Sequence, residues 1–314
     1  MLKYGCKRRL YGGEILNLQK KIMYLLMTFL MFAWGLEYIF AKHALNVFEP
    51  LTLLFFKYCI GFIIVLVIKL KMDGKSIVRK KDIPLFILCS IFGEIGYFSF
   101  EYTAMDYLPI SLITIMLAFV PALSIAIEWV VYKKKATKGI GIGIFLSIIG
   151  VSLVIGVDYH VLFEGRIFGY LLALGAVITW NLYNFITASL HNRYECASLT
   201  LNQLTCTLLL TFPYAITHLP NQEAVTVGVI GGILYLGILG AGIGFIIQVK
   251  SLQILGPTAS AMFSNFLPIT ATFFGWMILG ETISFMQIVG GTIVITAGYI
   301  VIKEKGKLEE LSHD

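Results

Sequence analysis

The 314-residue chain is 58 % hydrophobic and 13 % charged, with 30 glycines and a formal net charge of +6. Its mean hydropathy is +0.85. Soluble domains carry about 25 % charged residues, so this composition excludes a soluble globular protein and defines an integral membrane one. The positive charge lies in short clusters beside apolar runs, which is the pattern of membrane topology and excludes a nucleic-acid partner. The five cysteines (Cys6, Cys59, Cys89, Cys196 and Cys206) are scattered, without CxxC spacing, and set up neither a disulfide framework nor a metal site.

Residues 1–21 are basic and precede an apolar run too long for a signal peptide and lacking an A-x-A site. They read as a cytoplasmic basic segment. Two readings stay open for them: an interfacial helix, or an upstream extension before Met23. A bilayer core takes about 20 apolar residues per helix. On that ruler ten spans follow, at 22–41, 51–71, 83–105, 110–132, 138–156, 166–189, 198–218, 225–251, 257–279 and 285–303. Pro50, Pro109 and Pro257 stand at helix starts, where a missing N–H costs nothing. A charged tail, 304–314, closes the chain.

With the amino terminus inside, the cytoplasmic side collects Lys20 and Lys21, Lys69 to Lys81, Lys133 to Lys138, Arg193, Lys250 and Lys303. Lys42 and Arg166 fall outside, and Lys57 lies within a span. This asymmetry predicts an even span count, both termini in the cytoplasm and a cytoplasmic-membrane location.

The second half repeats the first. At a spacing of 147 positions, Phe119, Pro121, Trp129, Gly143 and Val154 recur as Phe266, Pro268, Trp276, Gly290 and Val301. Trp34 and Trp180 stand 146 apart, each in the first span of its half. Five spans per repeat is odd, so residues 166–303 enter the membrane inverted relative to 22–156. Secondary transporters use such halves to exchange inward-open and outward-open states around a midplane site.

Trp34-Gly35 in the first span, Pro50 opening the second, Ala104-Met105 closing the third, Pro121 and Pro268 mid-span, and Leu279-Gly280-Glu281-Thr282 before a glycine-rich last span together resemble a twice-repeated EamA domain. The pattern is similar to the ten-helix branch of the drug/metabolite transporter superfamily and covers roughly residues 22–303. The chain departs from it in having Lys133-Lys134 where the second half has Gly280-Glu281, and Lys57 where arginine is frequent. The resemblance implies an all-α fold of two inverted five-helix repeats, export as the common direction, and a last helix of each half packed away from a central cavity.

Charges inside the hydrocarbon mark function, because each costs a few kcal/mol unless paired or facing a cavity. Glu94 lies near mid-membrane, while Glu37, Lys57 and Glu101 lie in the outer third of their helices. Glu94, Tyr97 and Glu101 are spaced to share one face of the third helix, read as a cavity wall for substrate or protons. The matching depth of Glu37 and Lys57 permits an ion pair. Trp34, Tyr38 and Trp180 are candidate aromatic walls with cation–π capacity. Tyr183, Asn184 and Asn265 supply polar groups from the second half, individually more often interhelical hydrogen bonds than ligands. Pro121 and Pro268 are expected to kink their helices and free a carbonyl one turn earlier.

Carboxylates on one wall facing amides and aromatics on the other suit an amino acid or amine. Proton and cationic substrate can then compete for one buried acid, Glu94 or Glu37. No cofactor is called for. The competing readings are an intramembrane lipid-modifying enzyme, for which no HExxH or GxSxG is present, and a non-transporting sensor or scaffold. Gly240-Ala241-Gly242-Ile243-Gly244 looks like a nucleotide loop but sits inside an apolar span, so it is not read as one.

Overall fold

The computed structural model describes residues 2–72, 78–132, 137–155 and 166–311. Lys75 and Lys133 to Lys135 lie outside them, as does residue 312 onward of the tail; side chains before Leu18 are likewise not described. Among the described residues every regular element is helical. A helix occupies each place where a span is expected: α1 (Leu2–Leu45), α2 (Pro50–Met72), α3 (Lys80–Ala104), α4 (Ile110–Val131), α5 (Lys138–Ile155), α6 (Arg166–Leu190), α7 (Cys196–Ala215), α8 (Val227–Ile254), α9 (Pro257–Leu279) and α10 (Phe285–Leu311).

Seven of these are long and apolar enough to cross a bilayer: α1, α2, α3, α4, α6, α8 and α9. Of the others, α5 and α10 hold shorter apolar helical stretches, Lys138–Gly150 and Phe285–Ile300. The seventh helix is diluted by Thr200, Asn202, Gln203, Thr205, Thr207 and Thr211. Its threonine hydroxyls at 200, 205, 207 and 211 each donate to the carbonyl four residues back, so they need no outside partner. The first helix runs unbroken from Leu2 into its span, so the basic segment continues as helix.

Several helices change winding inside the bundle. The third becomes π-helical over Ser90–Tyr97, the eighth over Leu236–Ile243 and the ninth over Gly275–Leu279, after a 3-10 turn at Met262–Phe266. Such changes recur at functional sites, because they re-aim side chains and leave backbone carbonyls without helical partners. Pro121 and Pro268 mark restarts more than kinks. The fourth helix breaks after Leu117 and resumes at Val120, and the ninth resumes at Leu267, so each proline is the second residue of a new segment. There the absent N–H removes no established bond.

Helices α5 and α10 pack on each other, away from the buried charges. They approach closely at Gly150, where an added Cβ would stand 2.8 Å from the Gly290 carbonyl and 3.0 Å from the Val294 nitrogen. Both are backbone atoms and cannot swing aside. Gly150→Ala is expected to lower stability by roughly 1–3 kcal/mol, read as a lower thermal midpoint in detergent.

Candidate functional site

Three of the buried charges, Glu37, Lys57 and Glu101, are drawn together toward the end of the bundle that holds Lys42 and Glu281. Lys57, fully buried, donates to Glu37 Oε1 at 2.5 Å and to the Tyr102 hydroxyl at 3.3 Å. Its ammonium sits 3.5 Å from the centroid of the Phe98 ring, a cation–π contact in a dry environment. Glu101 is 3 % exposed, and its Oε1 accepts from Tyr38 at 2.6 Å and from Tyr97 at 2.5 Å. Tyr97 reaches it from one helical turn away, Tyr38 from another helix. Two phenols on one carboxylate oxygen hold that oxygen in place and leave the other free.

Glu37, Glu101 and their tyrosine partners, though not Lys57, border a cavity of about 20 Å³ together with Trp34, Trp180 and Leu267. That is room for a water or two, not for a metabolite. Trp180 packs against Tyr97 at 4.7 Å and Tyr183 at 5.1 Å, and edge-on to Trp34 at 5.8 Å. The aromatic groups therefore form a layer across the bundle at one end of the cavity.

The structure separates three residues from this group. Glu94 does not stack above Tyr97 and Glu101, because the wider π turn over Ser90–Tyr97 spoils the spacing that an α-helix would give. It lies on the far side of the aromatic layer, in electrostatic contact with Tyr183. Asn184 does not border the cavity either, and its side-chain oxygen accepts from Gln248 at 3.0 Å. Asn265 faces neither group. It borders a lateral crevice of about 380 Å³ with Tyr24 and Tyr299, where Gly298 leaves it room. The 3-10 turn at Met262–Phe266 sets that direction.

Residues that the sequence reading passed over complete the site. Tyr102 and Phe98 flank the lysine. Gly240, in the glycine run set aside as a false nucleotide loop, lies where a Cβ would stand 2.6 Å from Glu37 Oε2, and its carbonyl accepts from Trp34 Nε1 at 3.4 Å. Glycines in a membrane helix next to a helix bearing a buried carboxylate are the signal that could have found it.

Two polar clusters tie residues of the first half to residues of the second, one at each end of the bundle. At one end Glu281 accepts from the Ile110 and Ser111 backbone amides at 3.0 and 3.3 Å and pairs with Lys42 at 3.4 Å. Gly280, at φ 67°, makes the left-handed turn that aims it. Its carboxylate thereby caps the start of α4, where free N–H groups favour an anion. At the other end Asp82 pairs with Arg193 and accepts from Tyr194 at 2.8 Å. Burial pushes the Tyr194 phenol above its ordinary value, so it remains a neutral donor. No group of three or more His, Cys, Asp or Glu that could hold a metal occurs among the described residues.

Buried Glu37, Lys57 and Glu101 in a polytopic helical protein mark a functional site within the membrane, as the ion and substrate pathways of membrane transport proteins do. The chain matches the EamA-like transporter family twice, over residues 21–156 and 167–303, and is a member of it. It is 25 % identical over 282 residues to an uncharacterized transporter of Clostridium kluyveri, covering 84 % of this chain and 86 % of that protein. It is 21 % identical over 267 residues to the uncharacterized transporter YoaV of Bacillus subtilis, covering 84 % and 91 %. A solved crystal structure shares the fold with a TM-score of 0.65 at 13 % identity, over 89 % of this chain and 98 % of that one. The protein is thus an integral membrane transporter by family, and its relatives' names indicate transport and not catalysis.

Proposed function

We propose that the chain is a secondary active transporter that exports a small polar metabolite, an amino acid or amine, across the cytoplasmic membrane by alternating access. Ten spans arranged as two inverted five-helix repeats, 22–156 and 166–303, with both termini in the cytoplasm, are the topology of this reading. The carrying observation is the Glu37–Lys57–Glu101 centre: two carboxylates and one ammonium, all buried, beside a cavity walled by Trp34 and Trp180. With both acids ionised the centre holds one negative charge in excess. A ligand ammonium restores neutrality in a medium where unpaired charge is costly. Protons serve as coupling ion by competing for a buried acid, Glu37 in this centre or Glu94 outside it.

The small cavity and the two end clusters belong together in this account. Glu281 with Lys42 closes one end and Asp82 with Arg193 the other, so the conformation is occluded. Opening either end breaks one cluster and leaves the other. Cys89, fully buried on the Asp82 side, is a native reporter of opening at that end. With the other cysteines replaced, Asp82→Asn is expected to raise the labelling rate of Cys89 by an impermeant maleimide about fivefold, the effect of about 1 kcal/mol on a two-state equilibrium. Glu281→Gln is expected to leave it unchanged or lower it. Equal labelling in both variants would remove the end clusters from the mechanism.

A further inference from the structure

Beyond the aromatic layer, toward the Asp82 end, lies a second buried polar group that the central site does not use. Glu94, Tyr183 and Gln203 are each 0 % exposed and come from three different helices. Both carboxylate oxygens of Glu94, the Tyr183 hydroxyl and Gln203 Oε1 have no hydrogen-bond partner. A lone orphan of this kind costs about 1–3 kcal/mol, and native structures keep few of them. Four orphan oxygens in one cluster therefore call for a ligand.

The surrounding contacts fix the group in place. Gln203 Nε2 donates to Thr187 Oγ1 at 2.8 Å, which leaves the amide oxygen as its free end. Thr187 also contacts Cys89 Sγ at 3.5 Å. The Tyr58 hydroxyl donates to the Glu94 backbone carbonyl at 3.0 Å, so it does not satisfy the side chain. Gly93 gives the Tyr183 ring its seat, since a Cβ there would stand 2.6 Å from ring carbon Cγ. The titratable groups in electrostatic contact with Glu94 are Tyr58, Cys89, Tyr183 and Cys206, contributed by α2, α3, α6 and α7. None of them is a cation. Lys57, next in sequence to Tyr58, is committed to Glu37.

All four unsatisfied atoms are oxygens, one set of them a carboxylate, with no positive charge facing them. That is the coordination chemistry of a compact monovalent cation, which accepts oxygen donors all round and needs one negative charge. We infer that Glu94, Tyr183 and Gln203 form a cation station separate from the Glu37–Lys57–Glu101 centre, with the packed Tyr97 and Trp180 rings between the two. Its occupant is an alkali ion or the primary ammonium group of a small amine. The station adds a second site to the transport reading. Its test needs no transport substrate, so the two can fail separately.

Trp180 stacks on Tyr183 and reports occupancy through its fluorescence. The full chain in nanodiscs is titrated at constant ionic strength with sodium chloride and with methylammonium chloride, choline chloride being the oversized replacement salt. A saturable change with a compact cation and none with choline is expected, weakened at least about tenfold in Glu94→Gln. Tyr183→Phe, which removes one oxygen and no charge, is expected to weaken it as well and carries the test if Glu94→Gln does not fold. A sodium response assigns the station to a coupling ion, and a methylammonium response assigns it to the substrate's amine. Responses that choline matches, that survive in both variants, or that follow pH alone overturn the inference.

Discussion

Replacing Lys57 by methionine is expected to destabilise the protein by about 3–5 kcal/mol, the largest effect of any single substitution considered. The lysine is fully buried, and its removal strands Glu37 as an uncompensated carboxylate whose Oε2 already has no partner. Glu37→Gln is expected to cost a similar amount by stranding the ammonium. The double variant, Glu37→Gln with Lys57→Met, buries neither charge and is expected to recover part of the loss. Thermal midpoints of the four proteins in one detergent measure the coupling. Losses that simply add would show that the 2.5 Å contact contributes no pairing energy.

The second large effect is expected at Glu101. Glu101→Gln keeps the size of the side chain and removes the charge to which Tyr38 and Tyr97 donate. Charge-assisted hydrogen bonds are about twice as strong as neutral ones, and every 1.4 kcal/mol is about tenfold in affinity. If the free oxygen of Glu101 meets the substrate ammonium, flux should fall by about two orders of magnitude while the protein stays folded, because the amide still accepts from both phenols. Tyr38→Phe and Tyr97→Phe should each cost about tenfold. Normal flux in Glu101→Gln would move the substrate contact to another group.

The sequence carried the helices because apolar runs near bilayer length leave few alternatives, and its prolines marked their starts. It also carried the partnership of Glu37 and Lys57, since two opposite charges at one depth in neighbouring spans have little else to meet. What it could not carry was rotation about the helix axes. An α-helical ruler puts Glu94 on the face of Tyr97 and Glu101, but the π segment at Ser90–Tyr97 changes that register, and nothing in its residues announces the extra width. The same holds for Asn265, turned to the lateral crevice by a 3-10 stretch.

Contacts between distant helices were hidden for a different reason. That Tyr38 and Tyr97 converge on one oxygen, or that Gly240 lies against Glu37, depends on which helices touch. Hydropathy fixes only that a helix is buried in lipid or protein. The seventh helix illustrates the converse: its polar side chains lower its hydropathy, yet its hydroxyls bond back along the helix and Gln203 turns inward.

The central claim is alternating access around the Glu37–Lys57–Glu101 centre, and counterflow tests it most directly. Proteoliposomes loaded with an unlabelled member of a panel of amino acids and amines are diluted into the labelled compound, and transient accumulation is followed without any imposed gradient. Accumulation is expected for at least one ammonium-bearing compound, with its loss in Glu101→Gln. Saturable binding of such a compound with no counterflow in the wild-type protein would contradict it and leave a sensor in place of a transporter.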